Sequence, residues 1–275
     1  MRISTLVSAA AALLATAVFA PSASATTSTL YINGRQSGTP AGWSYWYDGS
    51  AYMQSGVNPI AVNVDGGAHI SVSNPTVVAA LNANCTGGNS CNVVCHSAGC
   101  AQIGYAEALY PGAWNITQVV TAASAEGGSE LAGNVAYFFT GLAIDQDLAD
   151  GTMRGLYNHD IVGDDIAGYV YNFLGGDYAS LTTCLFPGGC LFGSGANDSA
   201  VAMGSSGRNR SSGSTEKGSS SGVEGGNYWD YSIAAWTDSS DGVAGHCIDG
   251  SYPCEEGTAG GVVGKATAWV TKNNL

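Results

Sequence analysis

Asn92-Val93-Val94-Cys95-His96-Ser97-Ala98-Gly99-Cys100 reads as a buried strand that runs into a serine, with a helix of small residues leaving it. Asn92 to Cys95 is a short apolar run of the kind found inside a parallel sheet. From Ala98 to about Leu109 the residues are mostly small, and Pro111-Gly112 ends the helical pattern. A serine at such a junction occupies a strained turn, a nucleophile elbow, where strand and helix approach too closely for bulky side chains two residues either side. The helix then aims its free N–H groups at the negative charge developing on a substrate oxygen. Ser97 is therefore the candidate nucleophile. The competing reading is an ordinary small residue at a tight strand-to-helix turn.

Cys95 stands where the G-x-S-x-G pattern has its first glycine. A literal match, Gly218-Ser219-Ser220-Ser221-Gly222, lies in a Ser/Gly stretch without a strand before it or a helix after it, and is set aside. That stretch, residues 204–226, reads as a mobile surface loop.

Outward from the elbow, strand and helix patterns alternate. Thr29 to Ile32 and Pro59 to Val64 read as strands, the latter ended by Asp65-Gly66-Gly67. Asn74 is read as the cap of a helix that Pro75 opens. Further strands are expected at Ile116–Ala123 and Ile166–Tyr171, and a closing helix at Gly260–Lys272. The alternation predicts an α/β fold, a mostly parallel sheet covered by helices on both faces.

The nucleophile needs a base, and the chain holds four histidines. His96 adjoins Ser97 and is expected to point away from it. His69, in a strand-like run, precedes the elbow. His246 lies in a Gly-rich loop before the closing helix, where the chain order serine, acid, histidine puts the base, with His159 in reserve. Three aspartates compete for the acid. Asp160 and Asp241 are two, and Asp198, in Gly195-Ala196-Asn197-Asp198-Ser199-Ala200-Val201, is the third.

With these residues in view, the chain resembles the secreted bacterial lipases and esterases of the α/β-hydrolase superfamily. The resemblance rests on a first strand followed by Asn33-Gly34-Arg35, the Cys95–Gly99 elbow, and the late Asp and His. In that family a His-Gly pair ends the first strand and the next residue supplies an oxyanion N–H. The resemblance implies this role for Arg35, with Ala98 as the second donor and Asp198 in the family's Asn-Asp acid loop. Thr121 to Ala132 resembles the family's strand, small-residue turn and helix opening in Ser-x-Leu-Ala. It implies a serine ester hydrolase that works through an acyl-enzyme on a small-molecule, lipid or polyester ester. A transacylase or peptidase with the same triad, or a disulfide-rich glycan- or cell-wall-binding module, is the alternative.

Composition narrows the partners. A formal charge of −13 repels phosphate backbones and anionic lipid, so neither nucleic acid nor stable membrane insertion is expected. Arg2, the apolar run from Leu6 to Phe19 and Ala23-Ser24-Ala25 read as a signal peptide over residues 1–25. A single catalytic domain, 26–275, is expected to be secreted and monomeric. Eight cysteines behind such a leader read as disulfides, with Cys85/Cys91, Cys95/Cys100, Cys184/Cys190 and Cys247/Cys254 as the simplest pairing. A Cys95–Cys100 bridge would pin the elbow. No catalytic metal or cofactor is expected, although Asp160, Asp164 and Asp165 could hold structural Ca²⁺. Trp43, Tyr45, Trp46 and Tyr47 read either as the wall of an acyl pocket or as core packing.

Overall fold

The computed structural model describes residues 27–46, 58–129, 132–133, 140–149, 152–153, 169–173, 201, 218–219, 222–223 and 228–230. The expected leader, the closing helix, His159, His246, Asp160, Asp164, Asp165, Asp198, Asp241, Tyr47 and the last four cysteines lie outside these residues.

Six strands form one sheet: β1 (Thr27–Ile32), β2 (Asn58–Val62), β3 (Ser90–His96), β4 (Ile116–Ala122), β5 (Tyr169–Phe173) and β8 (Tyr228–Asp230). Their spatial order is β2-β1-β3-β4-β5-β8, and every neighbouring pair is parallel. Parallel strands need crossovers, and two of these are the helices α1 (Ile70–Asn84), from β2 to β3, and α2 (Ala98–Leu109), from β3 to its neighbour β4. The side chains explain why. Leu30 and Ile32 of β1 and Cys91, Val93 and Cys95 of β3 share a buried cluster with Val77 and Leu81 of α1 and Ile103 and Ala106 of α2. The alternate residues face the other way. Tyr31 meets Trp43 and Trp46 edge-on at 5.3 and 5.4 Å. The aromatic run after β1 is core packing on the second face of the sheet: Tyr45 and Trp46 are both buried. A sheet buried on both faces explains the continuous apolar character of β3.

The helix α1 departs from the sequence expectation. It begins at Ile70, with His69 at the N-cap, rather than at Pro75. The cause is a distant carboxylate. Asp147, in the short helix α3 (Ile144–Asp147), accepts the Ile70 N–H at 2.7 Å and the His69 ring at 3.0 Å. An acidic group there satisfies an orphan donor and complements the helix dipole, so the helix extends back through Pro75 at the loss of one internal hydrogen bond. His69 is accordingly a cap residue and not part of a strand. Asn74 does not cap. Its amide donates to the Gln102 carbonyl and side-chain oxygens at 2.7 and 3.0 Å, tying α1 to α2.

Ser129 forms an isolated parallel bridge with Ala149, and its N–H is taken by the Leu148 carbonyl at 2.8 Å; Glu130 and Leu131, where the expected helix would open, lie outside the described residues. Within the Ser/Gly stretch, β6 (Gly218–Ser219) pairs antiparallel with β7 (Gly222–Val223), and the rest of the expected loop lies outside the described residues. Among the described residues, no helix is long and apolar enough to cross a membrane.

Candidate active site

Ser97 lies at the C-terminal end of β3, third in the sheet order and flanked by β1 and β4. Its backbone takes φ 52° and ψ −124°, a conformation that a side chain other than glycine's rarely adopts. Such a residue costs on the order of 1–3 kcal/mol and persists only where its surroundings over-determine it. Here they do. The Ser97 N–H donates to the Ala122 carbonyl at 3.0 Å, and the Ser97 carbonyl accepts the N–H groups of Cys100 at 3.0 Å and Ala125 at 3.1 Å. The turn after β4 is itself strained, with Ala123 at φ 46°. The Ser97 side chain makes no hydrogen bond capping α2.

Close approach dictates the small residues around it. A Cβ on Gly99 would stand 2.6 Å from the carbonyl oxygens of both Ile32 and Asn33. A Cβ on Gly34 would meet the His96 carbonyl at 2.8 Å and the Ser97 Cβ at 2.9 Å. Gly99→Ala must therefore push the helix start off β1. It is expected to cost about 1–3 kcal/mol, and thermal unfolding would register this as a Tm lower by roughly 2–12 °C. A Tm equal to wild type would contradict the packing.

Cys95 occupies the first glycine position because its side chain is consumed. It is bonded to Cys100 in the first turn of α2, and Cys85 is bonded to Cys91 across the turn between α1 and β3. The Cys95–Cys100 bridge spans the elbow with a Cα–Cα distance of 5.0 Å, turning the extra bulk into a staple. A loop this short contributes about 2 kcal/mol by the chain-entropy account. The double variant Cys95→Ser/Cys100→Ser should melt about 4–8 °C lower, which differential scanning calorimetry would read directly.

His96 is turned away from the nucleophile. Its Nδ1 meets the Tyr45 hydroxyl at 2.5 Å, and both residues are buried. Burial pushes the Tyr45 hydroxyl well above its ordinary pKa, opposed in part by a hydrogen bond with the Gly34 backbone. Tyr45 therefore stays protonated, and the contact holds the His96 ring against the aromatic run after β1.

Asn33 stands where the resemblance has histidine, and its role is structural. Its Oδ1 accepts the Val64 N–H at 2.7 Å and its Nδ2 donates to the Val64 carbonyl at 3.0 Å. The side chain thus mimics one more rung of the β1–β2 ladder and carries the next residues, Gly34 and Arg35, over Ser97. Of the sequence-predicted residues, Ser97 and Ala98 are contiguous at the elbow, and Arg35 follows the glycine packed on Ser97. Among the described residues, neither the Arg35 nor the Ala98 amide donates to another backbone group. Asp198 and His246 lie outside the described residues.

One participant escaped the sequence reading. Asp145, 2% exposed at its side chain, receives the Arg35 guanidinium at both oxygens, with Nη2 at 2.8 Å. It carries no motif signal, being one of two carboxylates in a four-residue helix.

No protein-family model matches the sequence, and no curated protein matches it. Solved structures do. A metagenomic carboxyl esterase superposes with a TM-score of 0.50 and 12% identity, over 92% of this chain and 77% of its own. The fold is that of an α/β-hydrolase. The Bacillus licheniformis lipase BlEst2 in mature form gives a TM-score of 0.47 and 16% identity, over 66% of this chain and 79% of its own. Against its propeptide form the chain spans less than half the length, 42%, at the same TM-score and identity and over 65% of this chain. On an α/β-hydrolase sheet, catalytic groups collect at the carboxyl ends of the strands. That is the edge carrying Ser97, Arg35 and the loops after β2 and β4.

Proposed function

We propose that this chain is a serine ester hydrolase of the lipase or esterase type, exported to an oxidising compartment. The observation that carries the reading is the strained, non-glycine backbone of Ser97 at the junction of β3 and α2. Strain at a serine between a parallel strand and a helix N-terminus has a function when the hydroxyl must be presented to a substrate.

In this reading the Ser97 Oγ attacks the ester carbonyl carbon while His246 takes its proton. The carbonyl oxygen becomes an oxyanion held by the Arg35 and Ala98 N–H groups. The C–O bond to the alcohol then breaks, and His246 returns the proton to the departing alcohol. Water, deprotonated by the same imidazole, cleaves the acyl-enzyme and restores Ser97. Asp198 fixes the imidazole tautomer and stabilises its charged form.

Strand order supports these partners. Asp198 falls between β5 and β8, and His246 falls after β8, matching the order serine, acid, histidine. Val201, three residues beyond Asp198, is buried in one cluster with Ala98, Ala101 and Ala125. The leader-like N-terminus and the two disulfides support export.

A fluorophosphonate probe tests the reading. The wild-type protein should be labelled, with the modified peptide containing Ser97. Absence of labelling, or labelling confined to another serine, overturns it.

A further inference from the structure

We propose that Asp145 is a positioning residue for the oxyanion hole, acting through the side chain of Arg35. The inference rests on the reading of the Arg35 N–H as an oxyanion donor.

The backbone around that donor is fixed before and after it. Asn33 is clamped to Val64 on one side, and the Gln36 N–H donates to the Gly66 carbonyl at 3.3 Å on the other. The carbonyl of the peptide that carries the Arg35 N–H accepts the Asn33 amide at 3.2 Å, and on its other side the peptide is held by the Arg35 side chain. Its guanidinium meets Asp145 in a two-pronged pair, Nε to Oδ1 and Nη2 to Oδ2, which fixes orientation as well as distance.

Asp145 is built to be an anchor. Its side chain is 2% exposed, against 36% for Arg35. Oδ2 also accepts the Thr140 hydroxyl, and the Asp145 carbonyl accepts the Gly133 N–H at 2.6 Å. The short helix that carries it is tied to the loop after β2 through Ile144 N–H to the Gly67 carbonyl at 3.2 Å. It is tied to the loop after β4 through Ser129 N–H to the Leu148 carbonyl at 2.8 Å. Ile144 and Leu148 are buried in the cluster that contains Ala98, the other donor residue. One rigid unit thus sets the position of both proposed donors. The side-chain hydrogen bond to Asp145 also pushes the Arg35 guanidinium pKa upward, so the pair stays charged.

The test compares Arg35→Ala, Asp145→Ala and the double variant, each active-site titrated with the fluorophosphonate. Removing one oxyanion donor outright costs about 10²–10³ in kcat. Misplacing one is expected to cost about 10–100-fold in kcat per titrated site, with KM within about twofold. The double variant removes both charges together and leaves neither unpaired. It should be no slower than the worse single variant. Affinity for an alkyl trifluoromethyl ketone, whose adduct oxygen mimics the oxyanion, should fall in parallel with kcat/KM.

Wild-type kcat per titrated site in the single variants overturns the proposal. So does a loss accounted for wholly by fewer titratable sites, because a merely structural pair would act that way. A wild-type protein that never labels at Ser97 removes instead the reading on which the inference rests, and the two failures are distinguishable.

Discussion

Ser97→Ala is expected to abolish hydrolysis of short p-nitrophenyl esters, lowering kcat by about 10⁶-fold. The size of the effect follows from how a triad works. Without the Oγ, no acyl-enzyme forms, and the remaining rate comes from the oxyanion donors acting on water. The fold should tolerate the change. Alanine occupies less space than serine in a buried position, and the hydroxyl makes no capping contact with α2. The backbone strain at φ 52° is unaltered, because alanine bears the same Cβ. Circular dichroism and the melting transition should match wild type while ester turnover vanishes. Retention of more than a few per cent of activity would move the nucleophile elsewhere.

Asp198→Asn is expected to lower kcat by about 10⁴-fold with little change in fold. An amide at this point donates a hydrogen bond where the imidazole needs an acceptor, so the tautomer that accepts the serine proton is lost. The rivals are separable by position. Asp160 precedes β5 and Asp241 follows β8, whereas Asp198 lies between those strands. Asp145 and Asp147 are both engaged, the first with Arg35 and the second with His69 and the start of α1. Measuring kcat for Asp160→Asn, Asp198→Asn and Asp241→Asn side by side identifies the acid. An active Asp198→Asn beside an inactive Asp160→Asn or Asp241→Asn would reassign it.

What could be read from sequence divides along the range of the forces involved. The run from Asn92 to Leu109 was legible because strand, turn and helix are specified by neighbouring residues: β3 ends at His96 and α2 begins at Ala98. The local cysteine couples at 85/91 and 95/100 were legible for the same reason. The start of α1 was not, because its cap is supplied by Asp147, 77 residues beyond the Ile70 that it receives. Nor was the Arg35–Asp145 pair, 110 residues apart in sequence. The strand β8 carries only three residues, too few for a periodicity to show. The aromatic run from Trp43 to Trp46 had two readings, since a pocket wall and a core need the same side chains. Its edge-on contacts with Tyr31 decided for packing.

The strained turn at Ser97 also has a kinetic meaning for how the molecule is made. Its restraints come from both neighbouring strands: the Ala122 and Ala125 contacts from the end of β4, and the Gly34 and Gly99 contacts from the end of β1. The β1–β3 pairing joins Thr27 to Ser90, and β3–β4 requires the α2 crossover to have closed. Non-local parallel pairings of this kind are slow to form, because loop-closure entropy is lost before contacts compensate for it. The elbow is therefore expected among the last structure acquired rather than the first. On refolding from denaturant with disulfides intact, helical signal should recover before esterase turnover, and turnover should appear only as the central strands assemble.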